Sequence, residues 1–431
     1  MDMDMDNRRD PMPSGRLIAA CALQFVASGP QFSAPVLYGS IASSFGEEQA
    51  HVTALMPTAF AAGTFAMAVP GSLFMERYGL HRSFVLGCAG VCLCTVAQVF
   101  SNGLMSLTLL HGAIGVCKAF SGDVAFVAFC ASWFHERTST AIAVCFAAVG
   151  AGAALWTLAA AKIALECGWR AALAVSAAVQ CSVSLPLAIC CMRDPPPGKL
   201  ARQPSRVARD SSHELETSSE RWWLTDLSVW LLLLLNFTCV LTIYGVNNQL
   251  TLFVADEAHV PLSVASLFTG LVFLFNMLSK LASGPLYDGV HGCRYSVTAV
   301  ALLTSGSLLL LHLSWAPSAG AETFFFAVVF GVGYGGSYSL IQSKAALHFG
   351  HRRGFKAIQG FLSAGQYAGM TCGYLFPPLI AHAYSYSASF STLLFSAVAA
   401  FIAILAFEWR EFSLSSASPL KVPFLTTPTR H

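Results

Sequence analysis

Three fixed charges, Lys118, Asp123 and Lys280, stand inside long apolar runs, whereas almost every other Lys, Arg, Asp and Glu falls in the short connections between such runs. An ionisable side chain at bilayer depth costs about 2.5–3.5 kcal/mol on insertion scales, so it faces a partner or a watery cavity rather than lipid. The chemistry open to such groups is ion pairing, proton exchange and capture of a charged solute. Lys280 follows Asn276 by one helical turn and shares a face with it and with Gly284. A lysine holds a carboxylate as a point charge, without the bidentate fork of arginine. The alternative is snorkelling, because about seven residues, or roughly 10 Å, separate Lys280 from the end of its helix.

Lys118 and Asp123 are five residues apart, about 140 degrees on a continuous helix, and the spacing predicts that they do not both face one direction. Asp123 and Lys280 fall at similar depths in the fourth and eighth apolar runs, which makes a pair across a cavity sterically reasonable. His111 carries an imidazole that titrates near neutrality. Helix bracing by Lys118 and an interhelical hydrogen bond from His111 are the alternatives. Tyr244, Asn247, Asn248, Tyr334, Tyr338, Gln342 and Gln366 are further groups able to line a cavity. Interhelical hydrogen bonding, worth about 0.6 kcal/mol per contact, accounts for any one of them equally well.

The elements that must position these groups follow from composition. The chain is 55% hydrophobic and 11% charged, against about 25% charged in soluble domains. That is too little polar surface to cover a soluble globule of 431 residues. Spanning the hydrocarbon takes about 20 mostly apolar residues as helix, and twelve such stretches are present. Six lie at about 17–39, 52–75, 83–101, 104–133, 139–161 and 169–192. The other six lie at about 224–254, 262–287, 295–315, 322–347, 355–381 and 388–408. The expectation is a tail over 1–16, a six-helix bundle over 17–192, a linker over 193–223, a second bundle over 224–408 and a tail over 409–431. The linker carries three consecutive prolines at 195–197, many serines and both charge signs, and so lacks a core of its own.

Orientation follows from the basic residues. The odd-to-even connections hold only Lys162 and Arg170. The termini, the linker and the even-to-odd connections hold all the others except the two intramembrane lysines, with Lys344 counted in a connection. By the positive-inside rule both termini and the linker are cytoplasmic. The first apolar stretch is about twice the length of a signal-peptide core and is expected to be a retained helix. The cysteines fall mostly in apolar runs, where Cys behaves as a small hydrophobe, so no disulfide framework is expected. A net charge of +2 gives no reason to propose a nucleic-acid partner.

The two halves repeat. The loop after the second stretch runs from Gly71 through Glu76, Arg77 and Gly79 to Arg82, and its counterpart runs from Gly284 through Asp288 and Gly292 to Arg294. Both set a small residue, a helix end, an acid, a tight glycine turn and a base in order. The acid is placed to cap a neighbouring helix N-terminus and to pair with the following base. At these residues the chain resembles the major facilitator superfamily, whose signature loop reads G-x-x-x-D-R-x-G-x-R. The first copy departs from it, with Ser72 four before the acid and Glu76 as the acid.

Within that superfamily the chain is most similar to the monocarboxylate-transporter and oxalate/formate-antiporter branch. The residues that carry this are Ser132–Arg137, Val149–Gly152, Gly168–Ala172, Met192–Pro195 and Gly373–Pro378. Phe275–Gly284 resembles that branch's eighth helix, where an acid is followed four residues later by an arginine that receives the substrate carboxylate. The resemblance sets Asn276 at the acid's place and Lys280 at the arginine's. It also sets His111 where many superfamily members carry an arginine, and Gln31 and Phe32 near the place of the branch's first-helix lysine.

The expected fold is therefore all-α and membrane-spanning, with twelve transmembrane helices in two pseudo-symmetric six-helix bundles. The expected function is secondary transport of a small organic, monocarboxylate-like anion by alternating access. Carriage of a zwitterionic amino acid is the runner-up, and a non-transporting membrane receptor on the same scaffold is the reading from another class. Substrate contact is expected from Lys280, Asn276, Lys118, Tyr334, Tyr338 and Asn247. Coupling or gating is expected from Asp123, His111, Glu76, Arg77 and Asp288. No metal-ligand cluster, nucleophile constellation or phosphate loop suggests an enzyme. Gly331–Gly336 matches G-x-G-x-x-G but follows no strand, and is read as helix packing. No cofactor is expected beyond a coupling proton. The lipid bilayer is the expected surrounding, the plasma membrane rather than an organelle its place, and an accessory membrane subunit is left open.

Overall fold

The computed structural model describes residues 14–134, 138–194, 224–288, 292–317, 320–349 and 355–417. Apolar runs this long form helices because in hydrocarbon every backbone N–H and C=O must be satisfied within its own segment. Among the described residues there are twelve helical rods and no strand. The first half comprises α1 (Ser14–Phe45), α2 (Gln49–Tyr78), α3 (Leu80–Val99), a rod of α4 (Leu104–Ser121) and α5 (Asp123–Trp133), and α6 (Thr138–Cys167). Its sixth rod joins α7 (Trp169–Val179) to α8 (Leu185–Cys190) through a π-helical turn at Gln180–Ser184. The second half comprises α9 (Leu227–Glu257), α10 (Leu262–Asp288), α11 (Gly292–Trp315), α12 (Ala321–Phe349), α13 (Phe355–Ala383) and α14 (Tyr386–Ala417). Eleven rods are long and apolar enough to cross a membrane. The exception is α13, which carries Lys356, Gln359, Gln366 and His382 among its apolar residues. Of the expected linker, 195–223 lies outside the described residues.

Small residues set how closely the rods approach. In the first half α2 crosses α4 so tightly that a Cβ on Gly115 would overlap the Phe60 carbonyl oxygen. In the second half α10 crosses α12 in the equivalent way, with Gly335 against the Asn276 carbonyl. The glycine run at 331–336 is thus helix packing, as its sequence context indicated. These two crossings fix the helices that carry Lys118 and Lys280. Between the halves, α2 runs along α13 and α6 along α10. Gly360 faces Ser72, Gly150 faces Met277, and Asn248 Nδ2 donates to the Thr53 carbonyl at 3.1 Å.

The fourth rod is not continuous. At Gly122 the backbone leaves the helical region, with φ −95° and ψ −154°, and α5 begins at Asp123. The Gly122 carbonyl then accepts from the Phe126 N–H at 3.1 Å, and a Cβ at 122 would stand 2.6 Å from the Lys118 carbonyl oxygen. The break places Asp123 in the first turn of a new helix, where free backbone N–H groups and the helix dipole favour a carboxylate. It also overturns the angular expectation for Lys118 and Asp123, which assumed an unbroken helix.

Lys344 lies within α12 rather than in a connection. It is 8% exposed and ion-paired with Glu408 of α14. Arg410 and Asp226 pair nearby at 2.9 Å.

Candidate functional site

Where the halves meet, helices of both line a central cavity. Lys118, Asp123 and Lys280 all line it, together with Tyr244, Tyr334 and Tyr338. The three charges that the sequence singled out therefore converge. Lys118 reaches it from α4, and its Nζ donates to the Ala27 carbonyl of α1 at 3.2 Å. Asp123 reaches it because of the Gly122 break.

Lys280 is 2% exposed. Its ammonium lies 5.0 Å from the ring centroid of Tyr338, 5.4 Å from that of Tyr334 and 5.9 Å from that of Phe146. All three fall within the range over which a ring face attracts a cation. The side chain is thus held among rings from both halves and does not extend along its helix to an interface. Among the described residues no carboxylate oxygen lies within 4.0 Å of Nζ. The direct Asp123–Lys280 pair expected from their depths is accordingly not formed; Tyr338 instead donates its hydroxyl to Asp123 and presents its ring to the Lys280 ammonium.

Asp123 is instead held by hydroxyl and amide donors. Tyr338 donates its hydroxyl to Oδ2, and Gln366 Nε2 approaches the same oxygen at 3.4 Å while also donating to the Tyr338 hydroxyl. Behind them Gln342 donates to Gln366 at 2.8 Å and Gln359 to Gln342 at 2.6 Å. Asp123 belongs to the first half and all four partners to the second, so this chain ties the two halves together. The role of Gln359 was missed by sequence reasoning. Its only hint is i, i+7 spacing to Gln366, which puts both on one face of α13.

The remaining candidates separate. Asn276 does not line the cavity. It is 1% exposed, and its Oδ1 packs where α6 passes closely at Gly150. Asn276, Lys280 and Gly284 do share the face of α10 that packs on α6, against Gly150, Phe146 and Ala143 respectively, but Asn276 sits in the α6–α10 crossing, outside the cavity lining. Asn247 lines a second compartment. His111 is buried, accepts from Gln98 Nε2 at 2.9 Å through Nδ1, and stands against the Phe60 ring. This is the interhelical hydrogen bond given as its alternative. It borders a small recess also lined by Lys118.

At the end of the molecule that carries Ser14 and Ala417, Glu76 and Arg77 are exposed, with Arg77 beside the Tyr78 ring at 5.5 Å. The Asp288 side chain lies outside the described residues. Glu76 does not cap α3. That role belongs to Asp194, whose carboxylate accepts from the Leu80 N–H at 2.8 Å and the His81 N–H at 3.4 Å. His81 Nδ1 meets the Met192 carbonyl at 2.9 Å, and Trp133 Nε1 donates to that of Arg193 at 3.2 Å under the stacked Arg16 guanidinium. Residues from four segments converge here. Asp194→Ala is expected to lower stability by about 1 kcal/mol, the usual loss for a capping side chain, and to lower the melting temperature in detergent more than Glu76→Ala does. Equal melting temperatures for the two variants would contradict that assignment.

Comparisons place this architecture. A crystal structure of the human organic anion transporter MFSD10 (TETRAN) superposes with a TM-score of 0.71 at 16% identity, covering 91% of this chain and 99% of that one. At that identity the likeness shows the fold alone. A search of curated proteins returns no match. The family model of the Major Facilitator Superfamily matches residues 20–355 and again 232–426. Two six-helix halves around a central cavity, matched along nearly their whole length, show that the chain belongs to the major facilitator superfamily.

Proposed function

We propose that the chain is a secondary carrier of a small organic anion, monocarboxylate-like in chemistry, moved by alternating access of the central cavity. The observation that carries this reading is the state of Lys280. Its ammonium is buried, faces the cavity across three aromatic rings, and has no carboxylate at ion-pair distance among the described residues. A buried cation without an ionic partner is costly, and an incoming carboxylate removes that cost. Lys118 and Asp123 line the same space, so the three fixed charges leave one positive charge in excess. Asp123 is engaged by Tyr338 and Gln366, which leaves Lys280 to the solute. The resemblance of Phe275–Gly284 to the monocarboxylate carriers supports the same assignment. We place both termini on the cytoplasmic side from the distribution of Lys and Arg.

Flux into proteoliposomes tests the reading. Short monocarboxylates should be taken up saturably, compete with one another, and exceed zwitterionic amino acids of equal size. Amino acids carried better than every monocarboxylate would overturn the anion assignment, and absence of flux for all solutes would favour the receptor.

A further inference from the structure

Adjoining the charged cavity is a second compartment, and the two share Gln31, Phe32 and Tyr244 as common wall. Phe32 and Tyr244 stack across the junction with centroids 6.4 Å apart. The second compartment is lined by no charged residue. Its distinguishing groups are Asn247 and Asn248, which are 7% and 2% exposed. Neither polar atom of Asn247 has a hydrogen-bond partner among the described residues, and neither does Oδ1 of Asn248. The other polar atom of Asn248, Nδ2, donates to the Thr53 carbonyl at 3.1 Å and points to that of Tyr374 at 3.5 Å. Those two carbonyls fix which atom of Asn248 is the nitrogen, and exchanging the ends of Asn247 leaves its inventory unchanged.

Asn247 and Asn248, which line this compartment, thus carry two carbonyl acceptors and one NH₂ donor without partners among the described residues. Buried polar atoms are ordinarily satisfied, and at bilayer depth the penalty for leaving them so is larger. The complementary group offers two N–H donors and one acceptor, which describes a primary carboxamide. An ammonium fits less well. It has no acceptor for the Asn247 NH₂, and no carboxylate lines the compartment to balance its charge. We propose that the site has two parts and takes an anion with a carboxamide end, its carboxylate at Lys280 and its amide between Asn247 and Asn248. This rests on the carrier reading above and narrows its substrate class. Tyr244 and Phe32 then act as the waist through which the stem of the solute passes.

A matched pair of monoanions tests it in proteoliposomes. Succinamate and 4-methylpentanoate have the same skeleton, with a carboxamide in one where the other has an isopropyl group. The unmodified protein should take up succinamate with a kcat/KM about tenfold higher, since a site built to hydrogen-bond a group discriminates against analogues that lack it. Asn247→Leu should lower succinamate uptake and raise that of 4-methylpentanoate, inverting the ratio. The gain for the alkyl acid shows at once that the variant is folded. Equal uptake of the two by the unmodified protein, or an unchanged ratio in Asn247→Leu, would mean that the asparagines meet only water and would overturn the inference while leaving an anion carrier standing. Uptake of neither, with other solutes carried, would remove the anion reading and this inference together.

Discussion

Lys280→Ala is expected to lower anion uptake by roughly 10- to 100-fold while leaving the protein as well folded as before. The two halves of that expectation follow from one fact, that the ammonium is 2% exposed and lacks an ionic partner among the described residues. A buried charge of this kind does not stabilise its surroundings, so its removal relieves a desolvation cost. Lys280→Met keeps more of the volume between Phe146, Tyr334 and Tyr338 and should express at least as well as the original. The same substitution removes the charge-assisted contact to the solute, worth about 1.5–3 kcal/mol, or roughly a factor of 10 to 100 in kcat/KM. Lys280→Arg keeps the charge and can stack on the same rings, so it should retain more uptake than Ala or Met. Transport by Lys280→Ala at the original rate would sink the assignment. Loss of expression in all three variants, including Arg, would instead make Lys280 a structural residue.

The architecture was legible because hydrocarbon allows so few backbone solutions. Twelve runs of about 20 apolar residues leave little besides helices, and most edges moved by three residues or fewer between sequence and structure; the exceptions are the ends of α1, α6 and α14, the last of which runs to Ala417 and takes in residues expected in the C-terminal tail. The charges were legible for the same reason: an ion inside such a run needs a reason to be there. Three readings went astray, each where a nonlocal fact decided the outcome. Lys118 and Asp123 were set 140 degrees apart by a rule that holds only on an unbroken helix, and Gly122 breaks it. A single glycine in an apolar run does not announce a break, since the Gly115 of the same rod is helical. Glu76 was expected to cap a neighbouring helix N-terminus, whereas the cap of the adjacent α3 comes from Asp194 at the far end of the half. Lys344 was counted in a connection, because its partner Glu408 sits two rods further on and no local pattern links them. Asn276 shows the converse case. Its spacing to Lys280 is helical, as expected, yet the close passage of α6 at Gly150 takes the amide out of the cavity.

Asp123 and Lys280 should be energetically coupled although they do not touch. Both line one cavity, and the Tyr338 phenol that donates to Asp123 also lies under the Lys280 ammonium. Inside a low-dielectric cavity charges interact over more than contact distance. Asp123→Asn leaves Lys118 and Lys280 as two unbalanced cations, and Lys280→Gln leaves one cation and one anion. Asp123→Asn should therefore reduce folded yield more than Lys280→Gln, and the double variant should recover yield without recovering anion transport. The interaction term, read from thermal stability in a double-mutant cycle, should be about 0.5–3 kcal/mol. A second consequence concerns turnover. Among the described residues the side-chain hydrogen bonds of Asp123 run to the opposite half, so a rocking motion of the halves has to break them, and a proton on the carboxylate weakens its hold on the Tyr338 donor. If the coupling proton resides on Asp123, uptake by the unmodified protein rises as pH falls, and Asp123→Asn, which mimics the protonated form permanently, is flat with pH. Tyr338→Phe keeps the ring beneath Lys280 and deletes only the hydroxyl, so it should flatten the same profile partly while leaving substrate affinity close to its original value. Strictly additive stability losses in the double variant, or an unaltered pH profile in Asp123→Asn, would reduce Asp123 to a residue that fastens the two halves together.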